Sequence, residues 1–114
     1  MFLGEVWLVN LNPTIGAEIG KIRPVVIVSN DEIGVLPLLV IVPITGWQDR
    51  YTEKQWMVRL DANRENGLKK RSAADTFQVR SISVERLIKK LGRLSETTTS
   101  DIAFALAIVL NIGG

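Results

Sequence analysis

The chain has no histidine and no cysteine among its 114 residues. The first absence removes the commonest general base, and the second removes the commonest protein nucleophile. Together they exclude a disulfide scaffold, a thiolate metal centre and a redox dithiol, and they leave a zinc site only carboxylates to be built from. No apolar stretch reaches the roughly 18 residues that a membrane span needs, and no basic-then-apolar leader follows Met1, so the expected location is the cytoplasm. A large charge of one sign is missing too. The formal net charge is only +2, although the isoelectric point is 9.2 because basic residues bunch at Lys69-Lys70-Arg71 and Lys89-Lys90-Arg93. Such bunching suits a polyanion, but for so small an excess the need for solubility explains it equally well. The length fits one domain, residues 1–114, with a core that needs no covalent staple.

What is present reads as a string of strands. Residues 6–11 are apolar on both alternating faces apart from Asn10, the pattern of a strand in a curled sheet or barrel. Asn12-Pro13 and the glycines at 16 and 20 then break the chain into a loop running to Arg23, long for a hairpin and expected to be a mobile binding or gating element. Residues 25–28 and 38–42 are β-branched runs that predict neighbouring central strands, the second bracketed by Pro37 and Pro43. A polar loop carrying Trp47, Tyr51 and Trp56 leads to an outer strand over 57–60, a further strand over 74–81, and a short one over 88–94, six or so in all. The period changes at the end. Ile102, Leu106 and Val109 recur at helical spacing after Thr and Ser cap candidates, and the helix has so few charges that both of its faces are expected to meet protein.

One position stands out chemically. Arg23-Pro24 opens the run Val25-Val26-Ile27-Val28, which fixes a guanidinium at the mouth of a buried strand, and the lack of histidine forces arginine into any mechanism. The plain reading is that Arg23 pairs with Glu5 or Asp75 at a barrel rim and that Thr45 merely ends a strand. Asp31 and Glu32, adjacent on an extended segment, point apart and are no metal pair.

The ordered set Gly4-Glu5-Val6-Trp7, Val9 to Pro13, Gly16, Glu18, Lys21 and Arg23-Pro24-Val25-Val26, followed by Val42-Pro43-Ile44-Thr45, Gly67-Leu68, Ser72, Gln78-Val79-Arg80 and Glu85-Arg86-Leu87, resembles the MazF/PemK family of toxins. The resemblance spans most of the chain. It implies a mainly β fold, a small SH3-like, CcdB-like barrel with a C-terminal helix, and a homodimer that cleaves single-stranded RNA at short motifs with no metal or other cofactor. By position, Arg23 and Thr45 match the family's catalytic pair, Gln78 and Ser72 match RNA-contacting positions, and Glu18 lies in the loop flanking the cleft. Arg80 and Arg86 are read as structural ion-pair partners. Gly46 departs from the hydroxyl residue often found after the catalytic threonine, and the 47–56 segment follows no family pattern; its aromatics suit stacked bases and a protein partner equally.

RNA supplies its own nucleophile, the 2′-hydroxyl, so such an enzyme needs only alignment, proton transfer and stabilisation of phosphorane charge. Planar guanidinium donors and a threonine hydroxyl suit the last task, while the base falls to Glu18 or solvent. The expected partners are messenger RNA and an acidic, partly disordered antitoxin. Two competing readings stay open: a CcdB-like toxin that binds DNA gyrase without catalysis, and a small barrel that binds RNA without cutting it.

Overall fold

The computed structural model describes residues 1–113. The chain runs through β1 (Glu5–Asn10), β2 (Ile22–Ile27), β3 (Leu38–Gly46), β4 (Met57–Leu60), β5 (Ser72–Asp75), β6 (Arg80–Ser83), β7 (Leu87–Arg93) and a helix, α1 (Glu96–Val109). All strand pairs are antiparallel. Their order is β4-β5-β3-β2-β1-β7, with β6 also on β3. The nine residues of β3 organise the sheet: its first half pairs with β6, its middle with β2, and its end, Ile44 to Gly46, with β5. One strand shared among three neighbours curls the sheet, which yields the mainly β architecture with a C-terminal helix.

The central strands are apolar on both faces because each face meets a core. Val6, Val26, Val42, Ile44, Leu60 and Ala74 pack with Ile102 of α1 on one side, while Val9, Leu11, Val25, Ile27, Ile41 and Ile82 pack on the other. Fully burying a valine, leucine or isoleucine side chain contributes about 1.5–3 kcal/mol, so a polar substitution at one of these positions removes a large share of a small domain's stability.

Three expectations need correction. Pro43 does not end β3 but pairs with Val25, since the ladder passes from β2 to β5 beside it and the missing N–H is not needed there. Residues 74–81 are not one strand. Asp75 accepts a hydrogen bond from the Phe77 N–H and starts a 3-10 turn, Thr76–Gln78, that separates β5 from β6 and brings the strands to seven. The helix begins earlier than its apolar period, because Ser95 Oγ accepts from the Thr98 N–H at 3.1 Å and caps it. The helix meets its own barrel through Ile102 and Ala105, while Phe104 on its other face is 71% exposed, so of the two expected partners for its faces, its own sheet or a second subunit, the sheet takes one.

Candidate active site and its RNA-facing cleft

Arg23 is half-buried, as is Thr45. The last β2–β3 pair is Val25 with Pro43, and the same antiparallel register continued two residues beyond that pair would bring Thr45 opposite Arg23. Alternation then puts both side chains on the face of Val25 and Ile41, at the end of the second core. Pro24 sets the strand's entry, while β5 holds the other flank of Thr45 through the Thr45–Ala73 pair.

Neither carboxylate expected to neutralise Arg23 reaches it. Glu5 is taken by Lys90 Nζ at 2.9 Å, the Met1 amine at 3.3 Å and the Trp7 indole N–H at 3.0 Å, and Asp75 caps its own turn. The one protein hydrogen bond from the Arg23 side chain runs from Nε to the Gly20 carbonyl at 2.9 Å, so the terminal guanidinium nitrogens remain available among the described residues. Thr45 donates to no protein group there, and no buried side-chain oxygen lacks a partner, so its hydroxyl reaches solvent.

The two buried carboxylates behave oppositely. Burial alone would raise Glu5, but hydrogen bonds from Trp7, the Phe2 N–H, Lys90 and the terminal amine outweigh it and hold the carboxyl at about 2. Burial dominates at Asp75, where backbone N–H groups of Phe77 and Gln78 do not compensate, and its value rises.

A cleft of about 480 Å³ is walled by Pro13, Ala17, Glu18 and Ile19 on the long loop and by Phe77 to Arg80 opposite. The loop is fastened rather than free. Gln78 Oε1 accepts from the Ile19 N–H at 2.6 Å and its Nε2 donates to the Ala17 carbonyl at 3.0 Å, while Glu18 Oε1 accepts from the Ile15 N–H at 2.7 Å. Arg80 donates to the Leu11 carbonyl and Arg86 to those of Asn10 and Asn12, so both arginines are structural, as the sequence suggests, though they bind carbonyls and not carboxylates. Arg23, through the Gly20 carbonyl, ties the start of β2 to this same loop.

Glu18 and Gln78 therefore both line the cleft, while Arg23 and Thr45 each lie two residues past the last β2–β3 pair. Ser72 joins neither group. It is 4% exposed, and its hydroxyl donates to the Lys70 carbonyl, which shapes the basic turn before β5. That turn carries a feature the sequence does not disclose: a methyl group at Gly46 would stand 3.3 Å from Lys70 Nζ, so the ammonium lies over the bare backbone next to Thr45. Phe77, exposed on the cleft wall, is also missed by sequence reasoning. A signal exists, since Asp75 with Gln78 three residues on is a helix-start pattern that would have broken the predicted strand.

A small, mainly antiparallel β fold with one C-terminal helix is the class of protein that the strands and their order define. The crystal structure of MazF from Deinococcus radiodurans superposes with a TM-score of 0.82 over 98% of this chain and 97% of that one, at 20% identity. A mycobacterial endoribonuclease solved in complex with its cognate antitoxin gives 0.78 at 19% identity, covering 100% and 98%. In sequence, endoribonuclease MazF9 of Mycobacterium tuberculosis is 33% identical over 115 residues, 96% of this chain and 95% of that protein. The model of the PemK-like, MazF-like toxins of type II toxin-antitoxin systems matches residues 3–110, and the chain belongs to that family.

Proposed function

We propose that the chain is the toxin of a type II toxin–antitoxin pair and a metal-independent, sequence-selective endoribonuclease that cuts single-stranded messenger RNA in the cytoplasm. The observation that carries this reading is the half-buried Arg23 guanidinium, free of any carboxylate among the described residues and set opposite Thr45. A cation kept unpaired at a strand end is a costly arrangement unless an anion docks there, and a phosphodiester matches its planar donors.

In this mechanism the 2′-oxygen attacks the adjacent phosphorus, the P–O5′ bond breaks, and the products are a 2′,3′-cyclic phosphate and a 5′-hydroxyl. Arg23 holds the non-bridging oxygens as negative charge builds on them, and Thr45 Oγ1 donates a further hydrogen bond. The 2′-proton leaves to Glu18 or to water, and a proton from solvent reaches the departing 5′-oxygen. Glu18 and Gln78 face the RNA across the cleft, while Ser72 sets the basic turn beside it.

The partners are RNA, an acidic antitoxin peptide that competes for the same basic surface, and a second copy of the chain. For that copy the exposed apolar segment before β3 offers a face, with Ile33 68%, Val35 102% and Leu36 55% exposed. The test is cleavage of end-labelled RNA with product ends read by mass spectrometry. A cyclic phosphate that disappears in Arg23→Ala and Thr45→Val supports the mechanism; cutting by both variants at the wild-type rate refutes it. Intact RNA throughout, with retained gyrase or RNA binding, would favour the non-enzymatic alternatives.

A further inference from the structure

We propose that Phe77 is a stacking platform for one unpaired base of the RNA, an inference that rests on RNA being the substrate. The residue is 67% exposed on the wall of the cleft, where an apolar side chain gains nothing from water. Its position is nonetheless rigid. The Thr76 N–H and Oγ1 both donate to the Trp56 carbonyl, at 3.1 and 2.7 Å, and the Phe77 N–H is held by Asp75 at 3.2 Å. The Trp56 ring supports the phenyl edgewise, with centroids 6.0 Å apart and planes at 64°. A single side contact of this kind leaves ring surface free for a flat ligand.

The surroundings select the occupant. Lys54 Nζ lies 5.6 Å from the Trp56 centroid with no carboxylate within 4.0 Å among the described residues, so a cation backs the aromatic step. Gln78, the next residue, has both amide atoms committed to the loop backbone and offers the neighbouring base a fixed wall instead of a mobile hand. An aromatic face, a cation and a narrow polar cleft fit a nucleobase with its phosphate. The phenyl ring bears no donor or acceptor, so this subsite grips any base and leaves sequence choice to its neighbours.

The test is a double-perturbation cycle on a short single-stranded RNA containing a bond that the wild-type protein cuts. Abasic ribose is placed in turn at each position flanking that bond, and a parallel RNA with 2′-deoxyribose at the cut site reports binding alone. Phe77→Ala is expected to lower kcat/KM about tenfold or more, and to weaken binding of the uncleavable RNA similarly. One abasic position should cost the wild-type protein the same factor and cost the variant nothing further, while Phe77→Trp restores the loss. An unchanged melting temperature for Phe77→Ala excludes misfolding. Losses that multiply at every position overturn the proposal, as does wild-type cleavage by Phe77→Ala. The same holds if the variant loses only antitoxin affinity, which would make Phe77 a protein contact. A wild-type protein that binds the uncleavable RNA, with the predicted coupling, but never cuts would sink the nuclease reading and leave the stacking site standing.

Discussion

Two connections of similar length leave β2, one at each end, and they are stabilised differently. The loop from Asn12 to Lys21 adds to its local bonds from Asn12 and Glu18 a clamp by side chains far along the chain, Gln78 and Arg86. The segment from Ser29 to Pro37 has a local cap, Asn30 Oδ1 accepting from the Glu32 N–H, and a distant tie, Asp31 Oδ1 accepting from the Leu3 N–H, and it leaves Ile33, Val35 and Leu36 in solvent. A loop clamped from outside presents fixed polar groups and suits chemistry. A loop that exposes valine and leucine suits association. The difference sets the loop proposed to act on RNA apart from the segment proposed to assemble.

The strongest way to break that contrast is at the clamped loop. Arg23→Ala should lower kcat by about 100-fold or more, because the phosphorane loses its principal charge partner and the loop loses the Gly20 tether; single-turnover kinetics will measure it. Gln78→Ala removes two backbone-directed bonds and should cost the loop about 1–2 kcal/mol locally. Amide exchange at Ile19 should then accelerate roughly tenfold while exchange at 30–36 stays as it was, a split that uniform destabilisation would not produce.

Acid tests the other region. Glu5 ties Met1, Phe2 and Lys90 beside the apolar segment, and its folded value of about 2 lies below the ordinary 4.5. The stabilisation is therefore complete above about pH 4.5 and is lost as pH falls towards 2, on the order of 2 kcal/mol for this buried group. Glu5→Gln should flatten that acid limb in urea melts. Asp75 has the reverse sign: its raised value means that ionisation works against the fold as pH climbs. Asp75→Asn, which keeps an oxygen for the Phe77 N–H, should be neutral or stabilising at pH 7. The smallest effect on stability belongs to Val35→Asp. With the side chain wholly in solvent, the melting temperature should barely move, whereas sedimentation should report dissociation of the dimer.

Much of the architecture was legible because the central strands are apolar without alternation, which only a doubly covered strand tolerates. The Arg23–Thr45 relation was less so: proximity needed the register of β2 on β3, and only the family resemblance supplied it beforehand. The 3-10 turn at 76–78 escaped because a short alternating stretch looks like a strand until the Asp75 cap is noticed. Ser72 illustrates a deeper limit. A small hydroxyl beside three basic residues reads as a surface contact, yet its place between Gly46 and Leu60 in the ladder buries it.

The ammonium of Lys70 resting over Gly46 has one more implication. A lysine tip is easily moved, so restoring a hydroxymethyl at position 46 should simply swing the amine aside and leave the barrel undisturbed. The rim next to Thr45 can thus exchange a positive tip for an alcohol in a single codon change, a short route to altering the rim's polarity without redesigning the interior.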